Sequence, residues 1–282
     1  MADQLISLTS KQIRQIAKLE YLRETEYYNL DFEKTLQYIV KRYIEPISEY
    51  LNIEESTLVD CGAGFGWLAF GYLLSGGKSA TLCDIDVPRL KAAEEISEIL
   101  GIRDKCSFIA GPMENLTFQE NEFDIFASVE TLEHVGKKNI DTCINLISNT
   151  AKKMVVLTTP NKLFPLVLHD NKVPFSHWIP KKYRKFYTGL FGVKNKPLND
   201  FVSPFRLNPI RKKFKPVSKT LTFNSYPNWK NSYPFYSPYN YSNRWKESPP
   251  ILLSILYYVL SKLFRTKSYY LFPNLCRIWL RK

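Results

Sequence analysis

Acid is what the second half of this chain lacks. Residues 151–282 hold three Asp/Glu against 25 Lys/Arg, a net +22, whereas residues 1–150 hold 24 acids against 14 bases, a net −10. An evenly charged surface is excluded. A half this basic is either a solvated cationic face or one that meets an anionic partner: anionic lipid headgroups, nucleic acid or an acidic glycan. Cysteine is sparse, and Cys61, Cys83, Cys106, Cys143 and Cys276 show neither a C-x-x-C pair nor metal-ligand spacing. That excludes a disulfide framework and leaves no metal ligand to name, with small buried thiols in a reducing compartment as the expectation. Met1 to Lys11 lacks the apolar stretch of a signal peptide, and a cytoplasmic protein is expected. Long apolar runs are missing too. The most apolar candidate helix, Ile251 to Phe264, has 14 residues, short of the roughly twenty that cross a bilayer.

What is present begins with Val59-Asp60-Cys61-Gly62-Ala63-Gly64-Phe65-Gly66. An apolar run (Thr57, Leu58, Val59) ends in an acid, three glycines follow at alternate positions, and helical spacing starts at Trp67, Leu68, Phe70, Leu73 and Leu74. This predicts a buried strand, a tight turn and a helix start. Glycine allows positive φ and a close approach of ligand to backbone, and a helix N-terminus offers N–H groups to a carboxylate or phosphate. The spacing is G-x-G-x-G, with Trp67 where a dinucleotide fingerprint needs its third glycine. Asp60 beside the turn repels a pyrophosphate but suits an ammonium group, such as that of S-adenosylmethionine. A second strand, Lys78 to Cys83, ends at Asp84, twenty positions after Gly64, the spacing at which an acid reaches ribose hydroxyls. Asp86 competes for that role. Either acid also suits the N-cap of the helix predicted over Val87 to Leu100.

Taken in order, these segments resemble the class I S-adenosylmethionine-dependent methyltransferases, in the style of the ubiquinone-type and other small-molecule O-methyltransferases. Gly111-Pro112-Met113-Glu114-Asn115-Leu116 resembles their adenine-side motif, with Pro112 where many relatives carry Asp. Phe123 to Val135 resembles strand four with its Leu-Glu-His-Val helix, and Met154 to Asn161 strand five with its Pro-Asn ending. The resemblance spans about residues 55–195. It implies an α/β, doubly wound, Rossmann-like seven-stranded sheet with helices on both faces, mostly parallel with an antiparallel strand seven inserted between five and six. It also implies S-adenosylmethionine as cofactor. Gly62, Ala63, Gly64 and Gly66 then lie under the methionine part, and Asp60 faces the ammonium group directly or through water. Asp84 takes the ribose hydroxyls, Ile85 is a further cofactor-binding candidate, and Met113 and Glu114 border adenine. Ser128 and Val129 offer backbone contacts to the amino-acid part. Glu130 and His177 are the catalytic candidates on the acceptor side, with His169 behind them. His134 is read as a packing or capping residue.

Around this core, residues 1–54 read as a helical cover, with Phe32, Leu36, Ile39, Val40, Tyr43, Ile44 and Ile47 on one face and Pro46 able to divide the helix. Tyr27 and Tyr28 are candidates for the substrate mouth. Residues 55–224 read as the methyltransferase core, with strand six over 217–224. Residues 225–273 read as an insertion: an aromatic loop over Ser225 to Asn243, too proline-rich for a helix, then the apolar helix. Residues 274–282 carry strand seven. The insertion helix has a polar stripe of Ser254, Tyr258, Ser261 and Arg265, and Lys262, Arg265 and Lys267 at its end. It either packs as core or lies in a membrane interface. The functional reading is methyl transfer, with oxygen the expected atom, to a small-molecule, glycan or lipid-linked acceptor, at a membrane face. An RNA methyltransferase is the alternative, although no RNA-binding module accompanies the aromatics. A cofactor-binding interaction protein without catalysis is the third reading.

Overall fold

The computed structural model describes residues 6–23, 30–166, 173–193, 199–233 and 248–282. Its centre is a sheet of β1 (Thr57–Cys61), β2 (Ser79–Asp84), β3 (Cys106–Ala110), β4 (Phe123–Val129), β5 (Ala151–Thr158), β6 (Phe214–Pro216) and β7 (Arg277–Arg281). The spatial order is β3-β2-β1-β4-β5-β7-β6. The first five strands run parallel, and β7 is antiparallel to both β5 and β6. The fold and the inserted seventh strand are as the resemblance implied.

Side chains alternate across the sheet, and both faces are covered. Leu58, Ile125, Met154 and Val156 enter one core cluster, while their neighbours Val59, Phe126, Val155 and Leu157 enter another. Buried on both sides, these strands need continuous apolar sequence. The first face is covered by α1 (Ser10–Ile16), α2 (Glu20–Arg23), α3 (Phe32–Ile39), α4 (Glu45–Ser48), α5 (Trp67–Leu74) and α6 (Val87–Leu100). The second face carries α7 (Ile140–Thr150) and α9 (Asn208–Lys213), with α8 (Lys181–Gly189) lying between them in sequence. A five-residue π-helical stretch, Val40–Ile44, separates α3 from α4, which begins just before Pro46. The residues expected on one face of the cover are buried there, with Leu36, Ile44 and Ile47 at 1% exposure or less.

Two expectations for the second half are corrected. Strand six is not 217–224. It is the three-residue Phe214–Pro216, an edge strand ending where proline removes a donor. The apolar residues that suggested a strand, Leu221 and Phe223, sit on a tight turn closed by Thr220 and Phe223. They are buried in a third cluster with Trp229, Tyr233, Tyr257, Leu260, Phe272 and Cys276. The aromatic loop also contains a helix, α10 (Tyr226–Asn231), with Pro227 in its first turn, where proline is tolerated, and Ser225 capping the Asn228 N–H. Phe235, Tyr236, Tyr239 and Tyr241 lie outside the described residues. The last helix, α11 (Ile251–Leu263), buries Tyr257, Leu260 and Ser261 against the third cluster. Among the described residues no helix is long and apolar enough to cross a membrane.

Candidate active site

The first, second, third and fourth strands end together, and a groove of about 450 Å³ opens at their C-terminal edge. It lies where the chain reverses direction across the sheet, with β2 and β4 on either side of β1, the usual ligand crevice of a doubly wound fold. Its volume falls in the roughly 300–1,000 Å³ range of small-molecule sites. Of the expected residues, Gly62, Asp84, Ile85, Met113, Glu114 and Glu130 line it. Arg89, Thr131, His134 and Val135 also line it.

The glycine turn is held from within. Gly62 and Ala63 donate to the Cys83 carbonyl at 2.8 and 3.0 Å, and Gly66 donates to the Ala63 carbonyl at 2.8 Å. Gly64 donates to Asp84 Oδ2 at 2.7 Å. At Gly62 the backbone has φ +83°, and a Cβ there would collide with the Thr131 side chain. The amides expected to meet the ligand are thus already engaged at four positions. What the turn gives the groove is a rigid floor and, at Gly62, space. Asp84 is 7% exposed. Its second oxygen accepts the Asp86 N–H at 2.9 Å, so the carboxylate is fixed in orientation, with lone pairs left for hydroxyl donors. Asp86, the competing acid, caps α6 by accepting the Arg89 N–H at 3.0 Å. It also accepts the Tyr21 hydroxyl at 2.9 Å, which joins the helical cover to the groove rim.

Asp60 does not line the groove. It lies below the turn at 2% exposure, and burial, reinforced by the Asp84 charge, lifts its carboxyl to about 7, with the Ala69 backbone N–H pulling the other way. A carboxylate so placed is near its titration point and gains from a cation brought close. Ala63, Gly64 and Gly66 are likewise behind the lining. Ser128 is fully buried, with no hydrogen-bond partner for its hydroxyl among the described residues, and Val129 packs half-buried against the first core cluster. Of the two residues expected to border adenine, Met113 is buried in a single 3₁₀ turn and Glu114 accepts the Asn139 side-chain amide at 2.5 Å. Ile85 stands 69% exposed at the rim, an apolar face suited to a ring.

Where β4 ends, Glu130 takes a left-handed conformation at φ +53°, uncommon for a residue with a Cβ. Three positions on, Glu133 is 1% exposed and accepts the Thr159 hydroxyl at 3.0 Å. Burial and the neighbouring Glu130, to which it is hydrogen-bonded, raise Glu133 well above the usual carboxylate range. Of the two acids, Glu133 is the one whose surroundings favour the protonated form, and Glu130 is the one that lines the groove. Sequence reading missed Glu133, although an i,i+3 acid pair on a turn is visible in principle. His134 was expected to pack or cap, but it is exposed at the groove wall.

His177 is elsewhere. It is 4% exposed, its ring Nε2 lies 3.0 Å from the Lys162 carbonyl, and it packs edge-on to Trp178 and Phe201. Burial lowers its pKa, which keeps the imidazole neutral near pH 7. It lines a second cavity with Lys137, Lys138, Lys162, Lys181, Arg184 and Arg206. His169, Tyr27 and Tyr28 lie outside the described residues.

Residues 58–153 match the family model described as a methyltransferase domain. That match, over about a third of the chain, is to a methyltransferase domain. Among solved structures, the chain is similar to a protein from Pyrococcus horikoshii, with 16% identity, 70% of this chain and 90% of that one covered, and TM-score 0.49. It is also similar to the magnesium protoporphyrin IX methyltransferase of Synechocystis, solved with S-adenosylhomocysteine, at 15% identity, 73% and 84% coverage and TM-score 0.46. The YcgJ protein of Bacillus subtilis matches at 17% identity and TM-score 0.37, with 43% of this chain and about half of that one, 51%, covered.

Proposed function

We propose that the chain transfers the methyl group of S-adenosylmethionine to an oxygen of a small-molecule, glycan or lipid-linked acceptor, working at a membrane face. The groove at the ends of β1, β2, β3 and β4 carries this reading, because it gathers an oriented ribose acid, an apolar rim and a buried acid responsive to a cation. The cofactor supplies a methyl group already activated by its sulfonium charge, so the residues have to position, exclude water and manage one proton. Asp84 would take the ribose hydroxyls, and Met113, Glu114 and Ile85 would border adenine. Gly62, Ala63, Gly64 and Gly66 would form the floor under the methionine part, with Ser128 and Val129 behind it. Asp60 would answer the ammonium and sulfonium charges through the field below the turn rather than by contact. Glu130 would orient the acceptor hydroxyl and accept its proton, with Glu133 protonated behind it and His177 on the far side of the acceptor region. Positioning of this kind supplies roughly 7–11 kcal/mol in favourable reactions, and a placed base a further ~10²–10⁴ in rate.

The membrane part of the proposal rests on α11. Its polar stripe does not simply face water: Ser261 is 6% exposed, while Ile251, Leu252, Ile255 and Leu263 are 78%, 83%, 55% and 71% exposed. An apolar face open to solvent, with Lys262, Arg265 and Lys267 at its end, suits an anionic interface. The test of the function as a whole is calorimetric titration with S-adenosylhomocysteine, with NAD as control. Incubation of labelled S-adenosylmethionine with lipid and metabolite extracts follows, read by mass spectrometry. Binding of NAD in place of S-adenosylhomocysteine would overturn the proposal. Methylation confined to RNA would move it to the alternative acceptor.

A further inference from the structure

The second cavity, about 630 Å³, lies on the other side of the loop that forms the wall of the cofactor groove. Glu130, Thr131, His134 and Val135 of that loop face the groove, and Lys137, Lys138 and Ile140 face the second cavity. Its lining carries six cationic side chains, Lys137, Lys138, Lys162, Lys181, Arg184 and Arg206, against a single acid, Asp200. Asp200 is already committed: it pairs with Lys181 at 2.7 Å and accepts the Lys137 backbone N–H at 3.2 Å. Arg206 lies 3.5 Å from Asp141. Arg184 is 6% exposed and donates to the carbonyls of Ile179, Asn199 and His177, all at 3.2 Å. It fixes the frame of the cavity and adds a buried positive charge to the wall. No carboxylate stands at ion-pair distance from the ammonium groups of Lys137, Lys138 or Lys162 among the described residues.

Three exposed lysines lining one cavity give it a positive potential that favours a bound anion. Lysine is a compact point charge that suits a compact, multiply charged group better than a planar carboxylate, which arginine grips with two hydrogen bonds. One wall is apolar: Ile140, Ile179, Pro180 and Phe201 line it, together with Trp178, 51% exposed and anchored through its ring N–H to the Lys162 carbonyl at 2.6 Å. The neutral His177 completes that wall without opposing an anion.

We propose that this cavity binds a phosphate or diphosphate group, with the organic part of the ligand against Trp178. On the methyltransferase reading, on which this assignment of a role rests, the group is the anionic end of the acceptor. The same chemistry is offered by a soluble phosphate ester and by a lipid headgroup. The test uses the full chain in two arms at constant ionic strength. In the first, inorganic pyrophosphate is titrated calorimetrically. In the second, the protein is sedimented with phosphatidylcholine vesicles containing either phosphatidic acid or phosphatidylglycerol. Pyrophosphate is expected to bind with a submillimolar Kd, weakened at least tenfold in the variant Lys137→Ala, Lys138→Ala, Lys162→Ala. A preference for phosphatidic acid that vanishes in the variant assigns the group to a headgroup. Pyrophosphate binding without that preference assigns it to a soluble ligand.

Wild-type protein that ignores both probes, or a variant that binds them equally well, overturns the site. S-adenosylhomocysteine is titrated into the same samples. None of the three lysines lines the cofactor groove, so its affinity should stay within about twofold, which also reports that the variant is folded. The single charge reversal Lys138→Glu gives a second, independent measurement, with the same direction expected. Pyrophosphate binding in a protein that takes no S-adenosylhomocysteine would leave the anion site standing and remove the methyltransferase reading. The opposite pattern would remove only the anion site.

Discussion

Replacing Asp60 by asparagine separates stability from cofactor binding. Asp60 is 2% exposed, and its carboxyl is raised from 3.8 to about 7 by burial and by Asp84. With an unfolded value near 3.8, ionising it in the folded protein costs about 4 kcal/mol at most, taking 1.36 kcal/mol per pKa unit. The sign follows from the raised value. The penalty is absent below about pH 4, grows as pH rises from about 4 to 7, and is level above 7. The asparagine side chain keeps the shape and removes the titration. It weakens the bond that the Ala69 N–H makes to a charged acceptor, worth about 1 kcal/mol. The substitution should therefore stabilise the ligand-free protein by about 1–3 kcal/mol at pH 8.5 and by close to nothing at pH 4. Urea unfolding of both proteins at pH 4, 5.5, 7 and 8.5 measures the difference. S-adenosylmethionine binding should respond oppositely. Wild-type affinity should rise with pH up to about 7, because the ligand cation favours the ionised acid, and the variant should bind more weakly without that rise. A difference in stability that is flat in pH, or a variant destabilised at pH 8.5, would refute the reasoning.

Three further outcomes are expected. Asp84→Ala removes the acceptor of the Gly64 and Asp86 N–H groups as well as the acid proposed to take the ribose hydroxyls. It should weaken S-adenosylhomocysteine at least tenfold by calorimetry, each bond to a charged partner being worth about 1.5–3 kcal/mol, with Asp84→Asn intermediate. His177→Ala should leave that affinity nearly unchanged and lower turnover, because the ring lines the second cavity and not the cofactor groove; loss of cofactor binding would make it a purely structural residue. Leu252→Ser with Ile255→Ser should abolish the part of anionic-liposome sedimentation that survives high salt, where the Debye length falls to about 3 Å, while the unfolding transition stays put because both side chains are exposed. Leu256 is unsuitable for that test, since it packs against the third cluster.

The order of the core was legible in the residues because its determinants are local. A parallel strand buried on both faces needs an unbroken apolar run, and a strand-to-helix turn with positive φ needs glycine. The turn, Asp84 at the end of β2 and the acid after β4 therefore stand in sequence almost as they stand in space. A last strand over Leu275 to Leu280 was legible, but its antiparallel insertion beside β5 came only from the resemblance, since five residues of mixed character carry no signature of antiparallel pairing. What depends on distant partners was decided by the tertiary structure. His177 and Glu130 were both placed on the acceptor side, yet the loop after β4 separates their cavities. Asp60 was read as facing the ammonium group directly or through water; it is buried outside the groove lining, and burial sets its protonation. Leu221 and Phe223 have strand-like sequence, but α11 and Trp229 bury them as a turn. The sequence by itself determined which segments become strands, turns and helices. Which side of a wall each charged group occupies, and hence its charge and its possible ligand, was decided only when the chain packed, because desolvation and counter-charge are properties of the surroundings and not of the residue.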